Sequence, residues 1–194
     1  MPFEISRGYR TIHSLKDHEV EFVVKQVEAH RPSMFVDYGC HTGHLSFELA
    51  SRFDMTIFSV DNFKGTQGDT LMADTVSSLT EGRMDFFPLF VQNMAKAARQ
   101  YKGFKGQIIP MQTPCFFATR MAVDFIFVDS SHRVEEAEEF VWLSERLQPG
   151  GIFGGHDLDT TCPGVTLGVS KIAAGYDWLK NDFTFFLKKR SAPG

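Results

Sequence analysis

Residues 35–46 read Phe35-Val36-Asp37-Tyr38-Gly39-Cys40-His41-Thr42-Gly43-His44-Leu45-Ser46, and this stretch decides the fold. An apolar run, Met34 to Val36, ends in an acid and passes into a pair of glycines. Glycine lets a backbone turn sharply and approach a ligand closely. Ser46, Phe47 and Leu49 then open an apolar-faced helix. The pattern predicts a buried strand, a tight turn and a helix start, the ligand-gripping corner of a doubly wound α/β fold.

The spacing narrows the ligand. A dinucleotide fingerprint carries a middle glycine so that the pyrophosphate can touch the backbone. Here the spacing is Gly39-x-x-x-Gly43, and His41 stands where that glycine would be, so its side chain crowds a pyrophosphate. S-adenosylmethionine has no phosphate. It offers an ammonium, a carboxylate and a sulfonium. Asp37 can pair with the ammonium, and the N–H groups of the loop Gly39, Cys40, His41 and Gly43 can hold the carboxylate. Asp61 lies 24 positions after Asp37, at the end of a second apolar strand, 56–60. A carboxylate there can accept from both ribose hydroxyls, and Asn62 and Asp129 join it in the candidate cofactor set. The plainer alternative is a turn with two glycines and two solvated acids.

The chain has 194 residues, enough for one domain with a sizeable core. Its 43% hydrophobic and 23% charged content is that of an ordinary globular protein. A net charge of −4 leaves no basic footprint for nucleic acid. The 20 phenylalanines, paired at Phe86-Phe87, Phe116-Phe117 and Phe185-Phe186, read as core packing. Cys40, Cys115 and Cys162 show neither disulfide nor metal spacing, which suits a reducing compartment. No run is apolar enough to span a membrane and residues 1–10 lack a signal-peptide pattern, so a soluble cytoplasmic protein is expected.

In chain order, Ser14 and Asp17 resemble a capping box ahead of an amphipathic helix over 15–29, within an N-terminal helical segment, 1–30. This segment is expected on the sheet edge or in a lid. Residues 62–90, glycine-rich at first and longer than a plain connection, read as a cap over the substrate site. A helix follows over 87–101, a short strand over 107–111, and a central strand over 124–128 that is apolar throughout and ends at Asp129. A helix over 134–147, a turn over 148–151 and a strand over 152–155 lead to His156-Asp157. A helix over 165–174 and a hairpin of 176–180 with 183–188 close the chain. The alternation predicts one Rossmann-like α/β domain spanning 1–194, a mainly parallel seven-stranded sheet with a C-terminal antiparallel hairpin.

Asp37, Asp61, Asp129 and Asp157 all fall at strand ends, where parallel sheets bind ligands. Asp129 and Asp157, with oxygen and imidazole donors nearby, could hold Mg²⁺ or Mn²⁺. His132, three residues beyond Asp129, is the natural general base. The competing reading is that His132 caps the next helix and Asp129 binds backbone N–H groups.

With these motifs assembled, the chain resembles a class I S-adenosylmethionine-dependent methyltransferase. More narrowly, it is similar to the small-molecule O-methyltransferase branch that includes macrocin- and mycinamicin-type enzymes and cephalosporin-hydroxylase-like proteins. The resemblance runs from about residue 34 to 174. It is carried by 36–46, by Val60-Asp61-Asn62-Phe63-Lys64-Gly65, by Phe127-Val128-Asp129-Ser130-Ser131-His132, and by Leu147-Gln148-Pro149-Gly150-Gly151 with Gly155-His156-Asp157. It implies that Asp37, Gly39 and Gly43 contact the methionine part of the cofactor, Asp61 the ribose, and Thr113 the adenine side. It also implies that Asp129 and Asp157 bind Mg²⁺ and that His132 is the base. Leu158 stands where a further acidic ligand would be useful, a departure from the metal-using pattern.

The expected activity is O-methylation of a small-molecule hydroxyl, with Asp129 and His132 catalytic and a divalent metal assisting. The alternatives are a non-catalytic S-adenosylmethionine-binding protein and an NAD-dependent oxidoreductase; the His41 argument counts against the latter. A further alternative is a protein or nucleic-acid methyltransferase, the nucleic-acid version weakened by the acidic balance. The exposed N-terminal helix and the Phe-rich cap could build a homodimer.

Overall fold

The computed structural model describes residues 15–65, 85–131 and 133–191. Helix α1 (Asp17–His30) leads into strand β1 (Met34–Tyr38), helix α2 (His44–Arg52) and strand β2 (Thr56–Asp61). Helix α3 (Phe87–Gln100), strand β3 (Gln107–Gln112), helix α4 (Thr113–Ala118) and strand β4 (Val123–Val128) follow. The chain continues through α5 (Ala137–Arg146), β5 (Leu147–Gly155), α6 (Pro163–Ile172), β6 (Tyr176–Lys180) and β7 (Phe185–Lys189).

These strands form one seven-stranded sheet in the order β3-β2-β1-β4-β5-β7-β6. Pairings from β3 to β5 are parallel, and β7 pairs antiparallel with both β5 and β6. The order reverses between β1 and β4, so the crevice beyond their carboxyl ends is the switch point where such sheets take ligands. The predicted doubly wound sheet and closing hairpin are both present.

Both faces of the central strands are buried, which is why they read as unbroken apolar runs. Phe35, Ile57, Phe125 and Phe127 pack under α1 and α2 with Val20, Val23, Val27, Leu45 and Leu49. Val36, Phe58, Ile126 and Val128 pack on the other face with Phe140, Leu143, Val165 and Val169. α1 thus covers a sheet face rather than the edge. Its cap lies two residues later than expected: the N–H of Lys16 donates to Glu19 at 2.6 Å. Ser14 lies outside the described residues. The helix expected over 134–147 begins as a 3₁₀ turn, Val134–Glu136. The turn expected at 148–151 is absorbed into β5 as a register break, since Val123 pairs with Leu147 but Phe125 with Ile152. Pro110, which cannot donate to a ladder, sits on the edge strand β3. No helix among the described residues is long and apolar enough to cross a membrane.

Candidate active site

The glycine corner is held by backbone. Gly39 and Gly43 have φ of 86° and 93°, the left-handed region. The N–H of Gly39 donates to the Val60 carbonyl at 2.8 Å. A Cβ on Gly39 would fall 1.9 Å from the carbonyl oxygen of Asp129, so the loops after β1 and β4 touch only because Gly39 has no side chain. His41, φ 48°, occupies the place of the missing middle glycine.

Gly43 is the N-cap of α2 and has no side chain to satisfy the helix's first N–H groups. Asp37 does this from a distance. Period-two alternation turns it to the same sheet face as Phe35, toward α2. There its Oδ2 accepts the Ser46 hydroxyl at 2.6 Å, and the carboxylate also accepts the Ser46 backbone N–H. Ser46 and Ser59 hydroxyls are 2.6 Å apart, and Ser59 is the β2 residue in register with Asp37. Burial pushes Asp37 up to about 7; the Ser46 hydrogen bonds oppose the shift, and the charges of Asp129 and Asp61 add to it. One carboxylate oxygen is therefore already engaged inside the protein, and an ammonium must use the rest of the group.

Asp61 is gripped through both oxygens. The N–H of His41 donates to Oδ2 at 2.9 Å and that of Phe63 to Oδ1 at 2.7 Å. Burial pushes Asp61 up to about 6 against these N–H groups, which favour the charged form. Asn62 forms its own turn, its Oδ1 accepting the Lys64 N–H at 2.6 Å. Thr113 is half-buried at the start of α4, just past β3. Cys40 is buried and its thiol is raised well above its ordinary range, first by burial and then by Asp61 and Asp37. Both causes favour the neutral thiol over the thiolate.

The second constellation is built from side chains. The N–H of Asp129 donates to the Tyr38 carbonyl at 2.8 Å, and that of His156 to Val128 at 3.0 Å. This brings the ends of β4 and β5 together. Asp129, His156 and Asp157, all half-buried, place potential ligand atoms within 4.8 Å of one another. His156 Nδ1 is 3.1 Å from Asp157 Oδ1, and its Nε2 is 3.1 Å from Glu19 Oε1 of α1. Burial opposes the imidazolium, but Asp157, Asp129 and Glu19 outweigh it and push His156 up to about 9. Phe183, from the β6–β7 turn, stands edge-on to His156 at 4.6 Å. Glu136 fixes the loop after β4 by accepting the Ser131 N–H at 2.7 Å. His132 itself, and residues 66–84 of the expected cap, lie outside the described residues.

The structure thus brings Asp37, Gly39, Cys40, His41, Gly43, Asp61 and Asp129 to one crevice and sets Asp157 beside Asp129. Sequence reasoning missed Glu19, Ser46 and Ser59. Each had a faint signal: a carboxylate on the valine face of α1, and hydroxyls inside otherwise apolar stretches.

No protein-family model matches the sequence, and no curated protein sequence matches it. Solved structures do. The O-methyltransferase TomG from Streptomyces achromogenes, involved in tomaymycin synthesis and solved with S-adenosylmethionine, superposes with a TM-score of 0.61 at 11% identity, covering 99% of this chain and 91% of that one. The chain shares the fold of that O-methyltransferase. An O-methyltransferase from Bacillus cereus in complex with S-adenosylhomocysteine gives a TM-score of 0.59 at 14% identity, over 93% of this chain and 84% of that one. The S-adenosylhomocysteine-bound methyltransferase PaMTH1 of Podospora anserina gives 0.54 at 10% identity, over 98% and 89%. Within this O-methyltransferase fold, the glycine corner and the Asp129 cluster both lie at the switch-point crevice.

Proposed function

We propose that the chain is an S-adenosylmethionine-dependent methyltransferase acting on a hydroxyl group of a small molecule. The observation that carries this reading is the Asp61 carboxylate, half-buried and held by the backbone N–H groups of His41 and Phe63 beside the Gly39 turn, whose own N–H donates to Val60. That donor set fits an adenosyl ligand: a ribose-accepting acid beside a loop whose third position, His41, is not free for pyrophosphate. The solved relatives with S-adenosylmethionine or S-adenosylhomocysteine support it.

In this reading Asp61 binds the ribose, the loop Gly39–Gly43 the methionine carboxylate, and Thr113 borders the adenine. Bound there, S-adenosylmethionine supplies an electrophilic methyl group. The chain's part is to orient the acceptor oxygen and remove its proton. We assign the proton to His132, three residues beyond Asp129.

Two carboxylates and an imidazole also suit a divalent cation of the Mg²⁺ or Mn²⁺ type, held by Asp129 and Asp157 with His156 available once its Nδ1 proton has left. Such an ion would lower the pKa of an acceptor hydroxyl.

A thermal-shift titration tests the reading, with S-adenosylmethionine alone, with Mg²⁺ or Mn²⁺ added, and with NAD as control. A ligand that binds only the folded state raises the melting temperature. A rise with S-adenosylmethionine and none with NAD is expected. No rise at millimolar S-adenosylmethionine would overturn the proposal.

A further inference from the structure

Phe63 lies two residues past Asp61 with φ of 58°, a conformation that bulky side chains disfavour. Its N–H donates to Asp61 Oδ1 at 2.7 Å, and its carbonyl accepts the N–H of Phe86 at 3.0 Å. A single residue therefore ties the strand-end acid to the start of α3. The ring holds the backbone in place: it is 1% exposed and meets the rings of Phe86, Phe87 and Phe90 edge-on at 5.8, 4.9 and 5.6 Å. The second donor to Asp61, His41, is also left-handed at φ 48°, and its ring lies 5.1 Å from Phe86. The grips of His41 and Phe63 on the acid, beside a further N–H from Asn62, thus come from strained residues whose rings abut the same phenylalanine. Such conformations persist only where the surroundings over-determine them, and they gather at functional sites.

We infer that Phe63, anchored in the Phe86–Phe87–Phe90 cluster, is the positioning residue that aims the Asp61 carboxylate at the ribose of the adenosyl ligand. This rests on the proposed reading of Asp61 as the ribose acceptor. An ionised carboxylate has about four lone-pair sites. His41 and Phe63 take one on each oxygen and the Asn62 N–H adds a further contact, so the sites left open on the carboxylate point in fixed directions. Two adjacent hydroxyls need that arrangement, and a carboxylate free to rotate does not keep it. The same N–H groups oppose the effect of burial on Asp61 and favour the ionised, accepting form.

The test is calorimetric titration of S-adenosylhomocysteine and its 3′-deoxyribose analogue into the native chain and the variants Asp61→Asn, Phe63→Gly, Phe63→Leu and Phe86→Ala. Glycine keeps the N–H but removes the anchor and frees φ. A site built to hydrogen-bond a hydroxyl rejects the analogue that lacks it. The native chain should prefer the parent ligand by about tenfold or more, and Phe63→Gly and Phe86→Ala should shrink this ratio to below about threefold. Phe63→Leu, which keeps an apolar anchor, should retain most of it. Melting without ligand shows which variants fold, and Phe86→Ala carries the test if Phe63→Gly does not. Should Phe63→Gly or Phe86→Ala weaken both ligands equally and leave the ratio intact, Phe63 is only structural and the inference fails. An Asp61→Asn variant with an undiminished ratio would bring down the ribose reading itself. Loss of the ratio in Asp61→Asn but not in the phenylalanine variants brings down the positioning role alone.

Discussion

Asp61 and Asp157 both stand at the carboxyl ends of strands, but the protein holds them by different means. Asp61 is fixed by main chain: the N–H groups of His41 and Phe63, with the neighbouring turn set by Gly39 against the Asp129 carbonyl. Asp157 belongs to a chain of side chains, Asp157–His156–Glu19, whose far end sits on α1. The geometry of a main-chain site is set when the strands pair, even though the carboxylates it holds still titrate. A side-chain site can be retuned by pH, by an ion, or by a single substitution that leaves the fold intact.

Substitution should break the first region more severely than the second. Gly39→Ala puts a Cβ into the Asp129 carbonyl at a φ of 86°. Left-handed strain and overpacking together should cost about 2–5 kcal/mol, read as a lower midpoint in urea unfolding, with loss of S-adenosylmethionine binding. Asp61→Asn keeps the shape but not the charge. Hydrogen bonds to charged groups contribute about 1.5–3 kcal/mol, so affinity for S-adenosylmethionine should fall roughly 10- to 100-fold by calorimetry, and the melting temperature should also fall, because an amide has one accepting oxygen for two N–H donors.

Titration sharpens the comparison, because the two regions respond in separate windows. Asp37 is pushed up from 3.8 to about 7, so between these values the folded chain keeps a proton that the unfolded chain has released. Stability from this group therefore falls as pH rises through that range. His156 is raised from 6.5 to about 9, so its contribution is complete below 6.5 and is lost as pH climbs to about 9. In chelator and without ligand, the melting temperature should decline along both limbs. Asp37→Asn should flatten the lower limb and His156→Gln the upper, at about 2–4 °C for each kcal/mol removed. Lower-limb slope unchanged in Asp37→Asn would refute the assignment of that limb. Glu19→Gln leaves His156 its Asp157 partner but has one accepting oxygen for the Lys16 N–H and His156: about 1–3 kcal/mol, with the upper limb shifted toward lower pH.

What the sequence made legible follows the same division. Main-chain features announce themselves locally. Gly39 and Gly43 mark the turn, the run ending at Val128 marks a buried strand, and acids at or just past the carboxyl ends of β1, β2, β4 and β5 mark the crevice. Side-chain partnerships across distant segments leave little local trace. Asp37 was read as facing the ligand, yet strand register sets Ser59 beside it and alternation turns both toward Ser46. Glu19 meets His156 only because α1 lies over the β4–β5 half of the sheet. Phe63 gave no sign of its left-handed backbone, because nothing in an Asp-Asn-Phe-Lys-Gly run distinguishes a phenylalanine held there by tertiary packing from one that merely fills the core.

The register break in β5 separates length from position. Between Val123 and Phe125, two steps along β4, β5 advances from Leu147 to Ile152, and the surplus residues fall around Gly150, which has open space about it but a left-handed φ of 80° that suits glycine. From Ile152 onward the pairing is regular up to Gly155, so His156 and Asp157 are placed by the upper part of the strand alone. Gly150 is thus a splice point. A short tag or a reporter peptide inserted there would lengthen the chain at the floor of the sheet and leave the reactive end in register, giving an engineer a handle on the protein that does not touch its chemistry.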